Sequence, residues 1–574
     1  MLPALLFTIF VTQIPFLFTL FYSLTDWRLD RPEPRKFVGF ENYADLPDDP
    51  FFRDAAWVSI KMTVLAVLLS LVVGTVLALL LDRKFFGQGF VRTLLITPFL
   101  VMPVVAGFLW KTQMFNATFG VLNWLLGQVG VEPIEFATEY PLWSVIVVLV
   151  WQWSPFMMLI VLAGLQGQDA SVLEAARVDG ATSWGIFRQI TLPQLRPYLE
   201  LGTLLGAIYL VQVYDHIEIV TGGSPDSKNR PSTSPSVRSV AATSSASPRR
   251  TRSSSSSPRS SSPTSAYGCC PTCWRASDMT SVVQRAVGGI RRSNAEPVLG
   301  QNRTVAHLLS LLTWLIGMIF FFPLFWMVLN GFKEELDANA SPKLFFDPTL
   351  DRFTEVTEET SGLLSFSEAF SNSLWIVAIS TVLVILLAVP AAYALAIRPM
   401  KKWRDVLFFF ISTKFLPIVG AIMPLWIIAR DLDLLNTRTV LIILYTAMNL
   451  PLAVWMLRSF FAEVPRELIE AAQMDGCSLM GQIRQVILPI VAPGLAATAL
   501  LCVIFAWNEF FLAVQLNPVE GSTLPVWVAS QESGRGNFLA KLSAASVLAT
   551  LPVVIAGWIA QKRMIRGLAM GAIK

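Results

Sequence analysis

One stretch of this chain occurs twice. Residues 174–197 read EAARVDGATSWGIFRQITLPQLRP and residues 470–493 read EAAQMDGCSLMGQIRQVILPIVAP, in register over 24 positions without a gap. Both copies open on Glu, Ala, Ala, two variable residues, Asp and Gly (Glu174 to Gly180, Glu470 to Gly476). They go on to share Gly185/Gly481, Arg188-Gln189/Arg484-Gln485, Leu192-Pro193/Leu488-Pro489 and Pro197/Pro493. A repeat at an offset of 296 residues (Glu174 to Glu470) means one architecture used twice, with each copy placed in its own half.

The stretch reads as a polar hinge between two helices. Ala-rich, Glu-led residues favour a short helix, and Gly180 or Gly476 suits the left-handed position that ends it. Thr182 or Ser478 can cap the helix that follows. Leu-Pro then opens the next apolar run, since proline costs least at a first helical position. Ala175, Ala176, Ala471 and Ala472 leave a face that another protein can approach closely, and Glu174 and Glu470 offer a charge for pairing.

Each hinge lies among apolar runs of about 20 residues, the length a helix needs to cross a bilayer. The first half carries five, near 2–24, 57–81, 91–113, 141–166 and 192–220. The second carries six, near 306–331, 373–397, 405–429, 439–461, 490–516 and 544–561. With 54% hydrophobic residues and 15% charged, against about 25% charged in soluble proteins, this is the composition of an all-α polytopic membrane protein. The first run is long enough to span and lacks a small-residue cleavage site, so no cleavable signal peptide is expected.

Basic residues orient the runs. Arg83, Lys84 and Arg92 flank one loop and Arg177, Arg188 and Arg196 the hinge, while the loop around 114–140 holds Glu132, Glu135 and Glu139. In the second half Arg398, Lys401, Lys402 and Arg404, then Arg466 and Arg484, then Lys562, Arg563 and Arg566 mark one side. The positive-inside rule makes both termini and both hinges cytoplasmic.

Between the halves, residues 222–303 are Ser/Arg/Pro-rich and hold no run that can cross a membrane, so a disordered linker is expected there. This creates a conflict. Five crossings leave Val220 outside, yet the second half begins inside, so one crossing is missing. The domains are therefore 1–221 without its sixth span, the linker 222–303, and 304–574. The expectation is that two adjacent genes were joined by a frameshift, the second protein starting near Met279; a natural fusion with a re-entrant segment is the alternative.

The pattern EAAxxDGxxxxxxxRQxxLP between the fourth and fifth spans of each half resembles the EAA loop of the permeases of ATP-binding-cassette importers. That resemblance covers nearly all of the chain outside 222–303. It implies two tandem MetI-like permease domains with about 11 recognisable transmembrane helices, five and six, in a bacterial inner membrane. It further implies that Glu174, Ala175, Ala176, Asp179, Gly180 and Glu470, Ala471, Ala472, Asp475, Gly476 form coupling loops that dock on two ATPase subunits. An extracellular or periplasmic solute-binding protein would deliver a sugar or sugar alcohol, taken inward by alternating access. ATP and Mg would sit on the partner ATPases, since this chain has no GxxxxGK[ST] motif and no cofactor of its own. The second half is similar to polyol (mannitol/sorbitol) permeases in Ser412-Thr413-Lys414, Asn436-Thr437-Arg438-Thr439, Trp507-Asn508-Glu509 and Lys541-Leu542-Ser543. Departures from the family are Asp169 where the second copy has Pro465, and Cys477 after the motif glycine.

Polar groups inside spans are costly and tend to face a cavity or a partner helix. The candidates for a substrate pathway are Gln152, Trp153, Tyr214 and Asp215, with Lys414, Tyr445, Asn449, Asn508 and Glu509 in the second half. Cys269-Cys270-Pro271-Thr272-Cys273 lacks the second ligand pair of a metal site, and no nucleophile and base stand together, so no enzyme chemistry and no metal are expected. The rival reading is an ion-coupled secondary transporter, for which Asp215 and Glu509 are the available intramembrane acids.

Overall fold

Backbone polar groups in lipid must be satisfied within the segment, which leaves helices as the form these runs can take. The computed structural model describes residues 1–26, 36–222, 303–340, 342–358, 364–398, 401–416, 418–519, 521–531 and 538–571, without the side chains of Arg303 and residues 562–571. The linker, with Cys269, Cys270, Cys273 and Met279, lies outside the described residues, as do the tail side chains of Lys562, Arg563 and Arg566.

The first half runs α1 (Leu2–Ser23), α2 (Pro50–Leu81), α3 (Gln88–Leu100), α4 (Pro103–Met114) and α5 (Pro141–Gln166). It continues through the hinge helix α6 (Ala170–Val178), α7 (Ser183–Leu210) and α8 (Asp215–Thr221). The second half runs α9 (Thr304–Gly331), α10 (Phe366–Ala396), α11 (Trp403–Phe415), α12 (Ile418–Asp431) and α13 (Arg438–Ala462). After it come the hinge helix α14 (Arg466–Met474), α15 (Leu479–Trp507), α16 (Phe511–Leu516), α17 (Leu524–Ser530) and α18 (Leu539–Gly571). Among the described residues, eight helices are long and apolar enough to cross a membrane, and counting each of three bent pairs as one span gives up to 11.

One sequence expectation needs correction. Helices α2 and α10 begin seven residues before the apolar runs placed at 57 and 373, because caps sit there. Asp49 accepts from Phe51 N–H at 2.9 Å just ahead of Pro50. Ser365 and Glu368 form a reciprocal capping box, each side chain serving the other's backbone N–H. The third span of each half, which the sequence interrupts with Pro98 and Pro103 and with Pro417 and Pro424, bends by 97° (α3 to α4) and 79° (α11 to α12), and the fifth of the first half bends by 59° (α7 to α8).

The fourth spans are the axes of the bundle. In its most apolar window α5 is 89% buried and α13 is 78% buried, against 17% for α1 and 22% for α9. Those two outlying helices cross over. Helix α1 packs on α10, α12 and α13 of the second half, where Thr19 donates to Gly420 O at 3.1 Å. Helix α9 lies along α3 of the first half as well as its own α18. Cross-half hydrogen bonds pin it, among them Arg83 Nη2 to Ala306 O at 2.7 Å, Trp314 Nε1 to Phe86 O at 3.1 Å and Trp151 Nε1 to Phe320 O at 2.8 Å.

The repeat offset of 296 also pairs packing positions. Gly164 of α5 lies under Tyr198 of α7, where an added Cβ would meet the ring at 2.7 Å. In the second half the roles are exchanged: Gly494 of α15 lies under Phe460 of α13, with an added Cβ 2.4 Å from the ring. One glycine and one aromatic per crossing keep the two helices close, whichever helix carries which.

Arg83 reaches Ala306 at the end of the bundle that bears the hinges, so the second half starts at that end. Helix α8 packs instead on α4 and on Phe136–Glu139, away from the hinges. The described chain thus leaves at residue 222 toward one end and resumes at 303 at the other.

Candidate functional site

The two hinges have the same build. Asp179 and Asp475 close α6 and α14, and Gly180 and Gly476 follow with φ of +79° and +75°, the left-handed conformation expected of them. Thr182 accepts from Gly185 N–H at 3.1 Å and Ser478 from Gly481 N–H at 3.2 Å, capping the next helix in both copies. The entries differ where the sequences differ. Asp169 caps α6 by accepting from the Ser171 N–H and hydroxyl at 3.0 and 2.9 Å, and these bonds hold its carboxyl below the usual carboxylate range. Pro465 starts α14 without a side-chain cap, with Glu467 in the first turn to meet the helix dipole.

Leu192-Pro193 and Leu488-Pro489 do not open a new helix after a loop, as the sequence suggested. A π-turn at Phe187–Thr191 and another at Gln482–Ile487 carry each helix straight into them. The wider turn relieves the clash and the missing N–H of proline without ending the helix.

The faces of the hinges are partly as expected. Glu174, Ala175, Glu470 and Ala471 are exposed, and Ala176 is half-buried. Ala472 is buried against its own chain, a correction to its reading as an approachable face. Leu173 and Ile469, at matched positions, turn inward and anchor the two helices. Sequence reasoning missed a set of exposed apolar side chains at matched positions: Val178 and Met474 are 88% and 89% exposed, and Trp184 and Met480 are 69% and 67% exposed. Their signal lay in the variable positions of the repeat, which were passed over.

A cavity of about 190 Å³ lies between the halves, at the places where the third and fifth spans break. Gln152, Trp153, Tyr214, Asp215, Asn508 and Glu509 of the predicted pathway all line it. Breaking a helix frees backbone groups, and side chains from this set take them up. Gln152 donates to Val101 O at 2.7 Å at the α3–α4 break, and its Oε1 meets His216 Nε2 of α8 at 2.5 Å. Gln212 donates to Lys414 O at 3.0 Å at the α11–α12 break, across the halves. Glu509 accepts from Leu512 N–H at 2.8 Å and Ala513 N–H at 3.3 Å, which caps α16.

One wall is aromatic. Tyr209 and Phe505 stack at 4.9 Å, Trp153 lies 5.4 Å from Tyr209, and Phe99 lies 5.9 Å from Trp153 and 6.3 Å from Phe505. Carboxyl groups that can hydrogen-bond hydroxyls beside an apolar aromatic face suit a polyhydroxylated solute.

The remaining candidates are elsewhere. Tyr445 is fully buried behind this wall, its hydroxyl 3.4 Å from Glu509 O, and Asn449 donates to Cys502 O at 3.4 Å between helices. Both make helix-to-helix contacts and line neither cavity. Lys414 faces a second cavity of about 140 Å³, which shares only Tyr209, Gln212 and Ile418 with the first. His216, Gln212, Phe99, Tyr209 and Phe505 are lining residues that the sequence reading did not single out.

Residues 66–236 and 384–568 each match the family described as "Binding-protein-dependent transport system inner membrane component". Three relatives illustrate the likeness. "Probable ABC transporter permease protein y4oR" of Sinorhizobium fredii is 35% identical over 275 residues, 48% of this chain and 98% of that protein. "Probable ABC transporter permease protein y4oQ" of the same organism is 38% identical over 226 residues, 39% of this chain and 73% of that protein. "Trehalose/maltose transport system permease protein MalG" of Thermococcus litoralis is 32% identical over 262 residues, 45% of this chain and 94% of that protein. Each relative thus fills less than half of this chain.

Proposed function

Because the chain belongs to the family of binding-protein-dependent transport system inner membrane components and carries its domain twice, we propose that it is both permease subunits of an importer for a sugar or sugar alcohol, joined in one polypeptide. It is a transport permease and not an enzyme. The observation that carries the reading is the pair of matched hinges, each with the same left-handed glycine, the same cap and the same exposed apolar pair. Two ATPase subunits dock there, with ATP and Mg on the partners. Glu174 and Glu470 supply charge at the contact, and Val178, Trp184, Met474 and Met480 supply apolar area. A solute-binding protein delivers the solute at the opposite face. In this reading both termini and both hinges are cytoplasmic, in a bacterial inner membrane.

Alternating access is supported by the place of the cavity. It is bounded by both halves, so a movement of one half against the other opens it to one side or the other. The ATPases drive the change only by binding one arrangement more tightly than the other. One relative is named for trehalose/maltose; acids beside aromatic rings in the cavity support a sugar and a sugar alcohol alike.

The test is uptake of radiolabelled sorbitol, mannitol and trehalose by cells expressing the chain with its ATPase and binding-protein partners. Glu470→Lys, and separately Met474→Asp, should abolish uptake and co-purification of the ATPase while the permease stays folded. Unchanged uptake in both would defeat the coupling assignment. One observation favours a second reading, an ion-coupled transporter: Asp215 and Glu509 line the same cavity. Uptake that survives loss of the ATPases and collapses with an uncoupler would establish it instead.

A further inference from the structure

The second cavity holds one charged group and little else that is polar. It is walled by α1 through Val11, Thr12 and Phe16, by the fifth span of the first half, and by α11 to α13 of the second. Its neutral polar side chains are already engaged. Thr12 donates to Thr8 O at 2.7 Å, Thr413 to Phe410 O at 2.7 Å, and Gln212 to Ile208 O and Lys414 O at 3.0 Å each.

Two groups make no hydrogen bond among the described residues. The Lys414 ammonium lies 5.3 Å from the centre of the Tyr209 ring and has no hydrogen-bond acceptor among the described residues. The Tyr209 hydroxyl is buried and has no partner among the described residues either. A cation and an O–H donor, both unsatisfied beside one apolar cavity, lack the same thing: an acceptor that carries negative charge.

We propose that this cavity is a binding site for a carboxylate with a short apolar tail. The ligand's two oxygens accept from the Lys414 N–H and the Tyr209 O–H, and its tail lies along Leu425, Leu444 and Val11. The volume sets the size: about 140 Å³ is close to five water volumes of ~30 Å³ each, enough for a carboxylate and a few methylenes. The chemistry is that of a free short-chain acid or of the head of a fatty acid. Tyr209 also lines the cavity between the halves, so an occupant here bears on the wall of the transport pathway.

The full chain in lipid nanodiscs, with empty nanodiscs as blank, is titrated with butyrate and with its neutral analogue butyramide, and bound ligand is read by saturation-transfer NMR. Butyrate should bind at least about tenfold more tightly than butyramide, the difference a charge-assisted contact makes. Lys414→Met should erase that preference, Lys414→Arg should keep it within about threefold, and Tyr209→Phe should weaken butyrate severalfold. Competition by laurate stronger than by butyrate marks a fatty acid as the source; the reverse marks a free acid; either supports the site. Equal binding of butyrate and butyramide to the wild-type chain overturns it, and that comparison needs no variant to fold. So does butyrate binding that Lys414→Met leaves unchanged.

Discussion

Tyr209 and Phe505 occupy the same position in the two halves, 296 residues apart, and they stack on each other across the interface at 4.9 Å with their planes 15° apart. A position that meets its own repeat mate lies on the pseudo-twofold axis. Both rings line the cavity between the halves, so the stack is a partition on that axis, and any relative movement of the halves must part or slide it. An aromatic pair of this geometry adds about 0.5–1.5 kcal/mol beyond its buried area. That is enough to bias a resting state and small enough for a partner to overcome.

Tyr209→Ala removes the ring that closes this partition and separates the two cavities. Sealed vesicles carrying the variant, without ATPase, should leak radiolabelled sorbitol severalfold faster than wild type. Tyr209→Phe keeps the ring and should leak at the wild-type rate. A leak equal in all three would mean that the pathway is closed elsewhere.

Gly180 and Gly476 have no atom within 4 Å of an added Cβ, so a substitution there meets only backbone strain. A β-carbon in the left-handed region costs about 1–2 kcal/mol, and asparagine bears it better than a branched residue. Gly476→Asn should therefore retain most ATPase co-purification, Gly476→Ala less, and Gly476→Val least. Equal retention across the series would show that the left-handed turn does not position the hinge.

The glycine and aromatic pairs at the crossings are complementary. Gly494→Ala drives a methyl into the Phe460 ring and should cost about 1–3 kcal/mol, read as a lowered thermal midpoint in detergent. The double change Phe460→Gly with Gly494→Tyr installs the first half's arrangement in the second and should recover most of the loss. No recovery would mean that the neighbours of the two crossings differ too much for the pairs to be exchanged.

These relationships mark the boundary of what the sequence made legible. Eleven spans and both hinges could be read because hydropathy and a gapless repeat report them directly. Pro98 and Pro103 made a bend after α3 legible, but not that it is a 97° break, since Leu100, Val101 and Met102 are all apolar and the run continues through it. The crossing-over of α1 and α9 was equally hidden, because a helix that is apolar all round does not state its neighbour. Tyr209 and Phe505 are different: the 296-residue offset aligned them, and carrying the register past Pro197 would have found them. Lys414 was read with the pathway acids because its position along a span is visible and the cavity it lines is not.

Lys333 offers a pH test at the end of the bundle away from the hinges. It donates to Asn330 Oδ1 at 2.8 Å; Asn330 donates to Gln113 Oε1 at 3.3 Å, and Gln113 donates to Ser543 Oγ at 2.9 Å, a chain that ties the halves. Burial beside the Trp326 ring pushes its pKa down from the usual lysine range to about 8. A lysine whose folded pKa lies below its unfolded value burdens the folded state while it is charged, and the burden lifts as pH rises from about 8 toward 10.5. The thermal midpoint should rise over that window through this group. Lys333→Met should remove the rise; a variant with the same slope as wild type would assign it to other groups.

The chain itself poses the last test. Described residues reach 222 on the side away from the hinges and resume at 303 on the hinge side, where Arg83 holds Ala306. The sequence between them, 223–302, has no apolar run long enough to span. Each relative above fills less than half of this chain, which fits a frameshift between two permease genes and a natural fusion alike, and the frameshift expectation is the one put to the test. Intact mass of the products in the native membrane should then give two polypeptides, the second beginning near Met279, and a reporter fused at Ser260 should have no native counterpart. A single species near 63.6 kDa would instead require the stretch itself to make the crossing.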